Sequence, residues 1–305
     1  MAAPWHAERP LDPEALTGVG LADEAVADPG TAQRGFGPVF WVATAWIVLV
    51  VLGAVFASVL PLKNPDALDP THRLEAIGTS GHLLGTDTLG RDLLSRLVYG
   101  ARVSLTVGAA AVAIGLAVGG FLGMLAGFRR GWIERVIVWA SDVILSFPAL
   151  VLLISVVAFA GHSLRTISLV LGFISIPVYI RLSRAHTLAV AERDFVLAAR
   201  AIGVSRWRII RKELLPNVLP AVASYGLIAV GVVIVVEGSL SFLGLSVSAP
   251  TPSWGGLIAD GQTFMNQDPA LVLLPSAAMC ITVLALNLVG DTLRRRHDAG
   301  GRASL

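Results

Sequence analysis

The feature that most constrains this chain is a series of apolar runs long enough to cross a lipid bilayer, which takes roughly 20 residues as a helix. They lie at 39–60, 102–126, 136–160, 166–188, 217–240 and 271–290. In lipid, every backbone N–H and C=O must be satisfied within the protein, and for runs of this length the helix is the element that does so. Composition agrees. Of 305 residues, 55% are hydrophobic and 14% charged, whereas a soluble domain carries about 25% charged residues. The predicted fold class is all-α and polytopic, with about six transmembrane helices.

Residues 1–36 are polar, hold Pro4, Pro10, Pro13 and Pro29 among acids such as Glu8, Asp12, Asp23 and Glu24, and lack the basic start of a signal peptide. They read as a disordered cytoplasmic N-terminal tail. Residues 37–60 are the first transmembrane helix, 61–100 a turn-rich extracytoplasmic loop, 101–292 the core with five further spans, and 293–305 a cytoplasmic C-terminal tail. Pro148, Pro177 and Pro275 fall within or at the edges of spans, where neighbouring groups can satisfy the freed carbonyls. Basic residues are retained on the cytoplasmic side. They collect at 127–135 (Arg129, Arg130, Arg135), at 189–213 (Arg193, Arg200, Arg206, Arg208, Arg211, Lys212) and at Arg294–Arg296, whereas 246–270 has no Lys or Arg. Both termini are therefore expected inside. Arg181 and Arg184 fall at the inner end of the fourth span, where long side chains snorkel.

The sequence also excludes chemistries. Cys280 is the only cysteine and the six histidines are scattered, so neither a disulfide nor a metal-ligand spacing is present. A phosphate-binding loop needs G-x-x-x-x-G-K-[ST]. Lys63 follows Leu62 and Lys212 follows Arg211, so neither lysine serves one. No catalytic residue and no metal site is predicted, and the chain is expected not to be an enzyme by itself.

The connection between the fourth and fifth spans is unusually long. Phe195, Ala198, Ala199 and Ile202 fall at i, i+3, i+4 and i+7 of a short helix. Gly203 is placed to end that helix in a left-handed turn and Ser205 to cap the next. Trp207, Ile210 and Leu214 form a second apolar stripe, and Pro216 marks the break before the fifth span. Two short helices at a sharp angle make a knob, read either as an interfacial hairpin whose arginines meet lipid head groups or as a docking piece.

Other residues stand out. Gly85–Asp92 reads as a glycine turn followed by a helix start capped by Asp87 or Thr88. Its role is a structural elbow, contact with an outer partner through Asp87, Arg91 and Asp92, or both. Asp142, about ten residues into the third span and so roughly 15 Å deep, should face the bundle or a wet cavity. It is read as part of a translocation pathway or as an interhelical hydrogen-bonding group. Glu237, near the outer boundary, lines or gates an outer mouth or is simply hydrated. Trp254 reads as an interface anchor, and Phe147-Pro148 as a packing feature.

Ala198-Ala199, Gly203 and Leu215-Pro216 resemble the E-A-A-x-x-x-G-(x)9-I-x-L-P loop of permease subunits of bacterial ABC importers, with Leu197 in place of the Glu and Glu213 in place of the Ile. Gly85–Asp92 with Ser95–Leu105, Glu237–Leu245 with Pro252–Gly255, and Leu288–Arg294 look like the C-type subunit of the oligopeptide, dipeptide and nickel group. The resemblance implies the ABC importer permease fold. It further implies that the 189–216 loop forms coupling helices, with Ala198, Ala199, Gly203, Arg206, Trp207, Leu215 and Pro216 meeting an ATP-hydrolysing subunit. The implied partners are a second permease subunit, two ATPase subunits, an extracytoplasmic solute-binding protein and membrane lipid, with no nucleic acid. ATP and Mg would belong to the partner subunits, with no cofactor in this chain. The expected location is the bacterial plasma membrane and the expected cargo a short peptide. Nickel complexes or opines are alternatives, and a self-sufficient secondary transporter is the competing class.

Overall fold

A computed structural model describes residues 36–79 and 81–303, with the side chains of 297–303 left out. The expected N-terminal tail lies, but for Phe36, outside the described residues. The described part is helical: α1 (Pro38–Val55), α2 (Leu93–Arg129), α3 (Gly131–Ser146), α4 (Ala149–Ala160), α5 (Leu164–Ala191), α6 (Asp194–Ala201), α7 (Arg206–Phe242), α8 (Trp254–Gln262) and α9 (Ala270–Ala303). Five are long and apolar enough to span a membrane, and six spans result if α3 and α4 are counted as one. The all-α, polytopic expectation holds, and the C-terminal segment continues α9 as helix.

Helix α1 is apolar on every side and buries only Ala43 and Ala54, as expected of a helix with lipid around most of it. It touches the bundle through Ala285 and Val289 of α9 and through a hydrogen bond donated by Trp46 Nε1 to Thr282 Oγ1 (3.0 Å). The core is formed by α2, α5, α7 and α9.

Lipid tails give apolar helices no hydrophobic reason to associate, so close packing of small residues does that work. Gly115, Gly119, Gly123 and Gly127 recur every fourth residue of α2 and lie against α5. A Cβ at Gly123 would stand 2.9 Å from Ser183 Cβ and 3.0 Å from Arg184 N, and one at Gly127 2.9 Å from Arg184 O. The approach lets Ser183 Oγ donate to Gly120 O (2.7 Å). A π-turn at Gly115–Gly119 interrupts α2 within this ladder.

The expected third span is broken. Pro148 has no N–H and holds Phe147 extended (φ −84°, ψ 133°). Helix α3 ends there, and α4 leaves at 81°. Asp142 lies eleven residues into α3, in its last turns before the break. Pro216, by contrast, breaks nothing. A π-turn at Ile210–Leu214 widens the helix just before it, and α7 runs on from the loop into the membrane. Helix α2 starts earlier than the 102–126 run suggested and is capped by Asp92, not Asp87 or Thr88. Asp92 accepts from Ser95 N–H (2.8 Å) and from Ser95 Oγ (2.7 Å).

Candidate functional site

The knob is built as the sequence implies, with most of the first stripe turned outward and Ile210 and Leu214 of the second turned inward. Gly203 takes φ +77° with open space where a Cβ would stand, the left-handed conformation that favours glycine. Gly203 N donates to Arg200 O (3.1 Å) and Val204 N to Ala199 O (3.0 Å), closing α6. Ser205 occupies the N-cap position of α7 without a side-chain capping bond.

Val196, outside the expected stripe, is the anchor of α6. With Ile209, Ile210 and Leu214 it is buried in the cluster containing Phe128 and Val190. Phe195, Ala198 and Ile202 instead face outward, Ile202 being 81% exposed, and Ala199 is half-buried. Gly203, Arg206, Trp207, Leu215 and Pro216 are exposed as well. Trp207 is no core stripe residue. It rests edge-on against Phe121 at 6.3 Å, and Arg200 lies 4.7 Å over the Phe128 ring. The result is a firmly seated piece presenting Phe195, Ile202 and Trp207 beside Arg206, Arg208 and Arg211. An apolar patch with a polar rim marks an interaction surface.

A seam of paired charges runs between α3 and α5. Arg181 donates to Asp142 Oδ1 (2.7 Å), Arg184 binds Glu134 through Nε (2.7 Å) and its terminal nitrogen, and Arg130 binds Glu192 Oε1 (2.7 Å). Arg181 and Arg184 thus pair with acids of a neighbouring helix.

Toward the end of α7 away from the knob, Glu237 is enclosed and not hydrated at a surface. It is 0% exposed. Ser241 and Ser246 donate to its Oε1 (2.9 and 2.7 Å) and Ser104 to its Oε2 (3.1 Å). Ser253, the N-cap of α8, lies 3.2 Å from Ser241 Oγ. One carboxylate therefore ties α2, α7, the 243–253 loop and the start of α8. Trp254 is likewise inside and not an interface anchor: 1% exposed, it donates from Nε1 to Leu97 O (3.0 Å).

Asp87, Arg91 and Asp92 are buried too, which makes them the frame of the elbow and leaves none of them an outward contact. Arg91 Nε donates to Asp87 Oδ2 (2.6 Å), while the N–H groups of Leu89 and Arg91 donate to Asp87 Oδ1 (2.8 and 2.9 Å). Lys63 Nζ has only hydrogens to offer, so His82 Nε2 accepts from it (3.0 Å) and His82 Nδ1–H donates to Asp92 (2.9 Å). Burial works against ionisation of Asp92. The Ser95 N–H and hydroxyl, with His82, overcome it and hold the carboxyl below its ordinary range. The large apolar side chains of this loop that face outward are Leu68, Ile77, Leu83 and Leu89. Isolated apolar residues in a polar loop give no periodic signal by which to single them out.

Residues 119–302 match the family model described as the binding-protein-dependent transport system inner membrane component. The glutathione transport system permease protein of Pectobacterium atrosepticum is 35% identical over 256 residues, 84% of this chain and 85% of the relative. The dipeptide transport system permease protein of Alkalihalophilus pseudofirmus is 36% identical over 252 residues, 83% of each. In structure, the chain is similar to the inward-facing MetNI methionine ABC transporter, with TM-score 0.55 and 19% identity over 66% of this chain and 96% of that one.

Proposed function

The chain belongs to the family of binding-protein-dependent transport system inner membrane components, a permease of the ABC importer type, and from that premise we propose how it works and what it carries. Short peptides are the cargo. The relatives named for dipeptide and glutathione transport support this. A second permease subunit completes the pathway, two ATPase subunits hydrolyse ATP with Mg, and an extracytoplasmic solute-binding protein delivers the peptide. Both termini lie in the cytoplasm.

The observation that carries the reading is the knob of α6 and the start of α7. It is seated by Val196, Ile209 and Leu214 and presents Phe195, Ile202 and Trp207 to a partner. A docking surface for an ATPase subunit needs this combination, because a force applied to a loosely held loop would be lost in its flexing. On the outer side, the outward-facing Leu68, Ile77, Leu83 and Leu89 form the surface offered to the binding protein. Asp87, Arg91 and Asp92 hold that surface in shape.

Ile202→Asp in the assembled importer tests the assignment. The position is exposed, so the chain still folds. ATP hydrolysis stimulated by loaded binding protein is expected to fall at least tenfold, together with uptake. Wild-type stimulation and uptake in an importer carrying Ile202→Asp would refute the docking role.

A further inference from the structure

Asp142 and Arg181 form an ion pair whose side chains are 53% and 60% exposed. Arg181 is about ten residues from the inner end of α5, roughly 15 Å along it, and Asp142 is about eleven residues into α3. Both sit well within the apolar stretches. Charged side chains at such depth face a bundle interior or water and not lipid. The chain obeys that rule elsewhere, since Glu237 is wholly enclosed. A pair more than half uncovered therefore marks a face of the α3–α5 seam that lipid does not wet.

The seam continues inward through Arg184–Glu134 and Arg130–Glu192, giving a polar strip from mid-span to the inner surface. Phe147–Pro148 turns α4 away at 81° a few residues beyond Asp142. Strip and bend together describe one wall of a water-filled route.

We propose that this strip lines the aqueous path the chain shares with its second permease subunit, and that Asp142 and Arg181 receive the ammonium and carboxylate ends of a zwitterionic peptide. The proposal rests on the importer reading and names the groups that handle its cargo. A water-exposed ion pair contributes little, so exchanging it for two bonds to a substrate costs little, and the pair re-forms when the peptide leaves. Each residue has the one property its end of the cargo requires: Asp142 only accepts, and Arg181 only donates, in a planar fork matched to a carboxylate.

The test uses the complete importer in membrane vesicles with Cys280→Ser, which removes this chain's one native thiol, and labelling is read on this chain. Val178→Cys lies one turn before Arg181 on the exposed side of α5, and Leu49→Cys on the exposed side of α1 is the lipid control. A charged, membrane-impermeant thiol reagent is expected to label Val178→Cys at least tenfold faster than Leu49→Cys. Equal slow labelling would overturn the aqueous wall. Millimolar alanyl-alanine is expected to slow labelling at Val178→Cys at least threefold, and its N-acetylated and C-amidated forms are not. Arg181→Gln is expected to abolish that protection. Equal protection by all three compounds, or by none, would overturn the substrate-end assignment. ATP hydrolysis stimulated by binding protein in the same vesicles reports separately on the importer reading, which stands or falls without either result.

Discussion

Replacing Gly123 with alanine should drive α2 and α5 apart, whereas the same change three residues earlier should not. At Gly123 the new Cβ would fall 2.9 Å from Ser183 Cβ and 3.0 Å from Arg184 N, and inside contact of the Ile180 carbonyl. Two of these neighbours are backbone and cannot swing aside, so the helices must separate by close to 1 Å. A gap of about 0.5–1 Å forfeits a quarter to a half of the dispersion attraction of the atoms it parts. It also stretches the Ser183–Gly120 hydrogen bond. Overpacking of this kind costs about 1–3 kcal/mol. The helix propensity gained by Gly→Ala, about 1 kcal/mol, offsets only part. At Gly120 the nearest atom to a new Cβ is Leu116 Cδ1 at 3.8 Å, so the propensity gain stands alone. The measurement is the apparent melting temperature of the detergent-solubilised importer, read by chromatography after heating. Gly123→Ala should melt several degrees below wild type and Gly120→Ala at or above it. If Gly123→Ala were as stable as Gly120→Ala, the ladder would not be holding these helices together.

Two further outcomes follow from the outer half. Glu237→Ala leaves the hydroxyls of Ser104, Ser241 and Ser246 facing a cavity, at about 1–3 kcal/mol for each donor that finds no new acceptor; it should lower the melting temperature markedly, while Glu237→Gln, which keeps an acceptor oxygen, should lower it far less. The elbow should also loosen in acid. Asp92 is held below its ordinary value of 3.8, and Asp69 is lowered to about 2 by the Thr71 hydroxyl and by His72. A carboxyl lowered on folding stabilises above its unfolded pKa, and that contribution is lost as pH falls through the folded value. Cleavage of the 61–92 segment by pepsin should rise as pH drops below about 4. The rise should be smaller in Asp92→Asn, and an identical pH profile in both would count against Asp92 as the group responsible.

Spans, fold class and the inner knob were legible because each rests on local rules: run length, the Gly203 turn, and apolar spacing. Which face of the knob points outward was not. Periodicity marks Phe195, Ala198, Ala199 and Ile202 as one stripe, but a stripe reads the same whether it faces its own bundle or a partner. Val196, the buried residue of α6, seats that helix with half-buried Ala199 beside it. Asp87, Arg91, Asp92 and Glu237 suggest contact and passage because charged residues usually meet water. They are interior because each finds its partners inside: Asp87 and Arg91 pair with each other four residues apart, Asp92 meets Ser95 and His82, and Glu237 reaches Ser104 on another helix. Gly115, Gly119, Gly123 and Gly127 stand at the spacing of four that permits close helix approach in lipid, but the sequence does not name α5 as the helix they meet.

Helix α7 carries a last consequence. It runs unbroken from Arg206 in the knob to Phe242, and Glu237, which fastens the outer tier, sits on the same rod about 45 Å from Trp207. A tilt of about 5° imposed at the inner end carries the far end some 4 Å by leverage over that length. The two ends of this rod need no relay of loops to feel each other: they are mechanically one object, and the serines around Glu237 are the joint where the displacement must be absorbed.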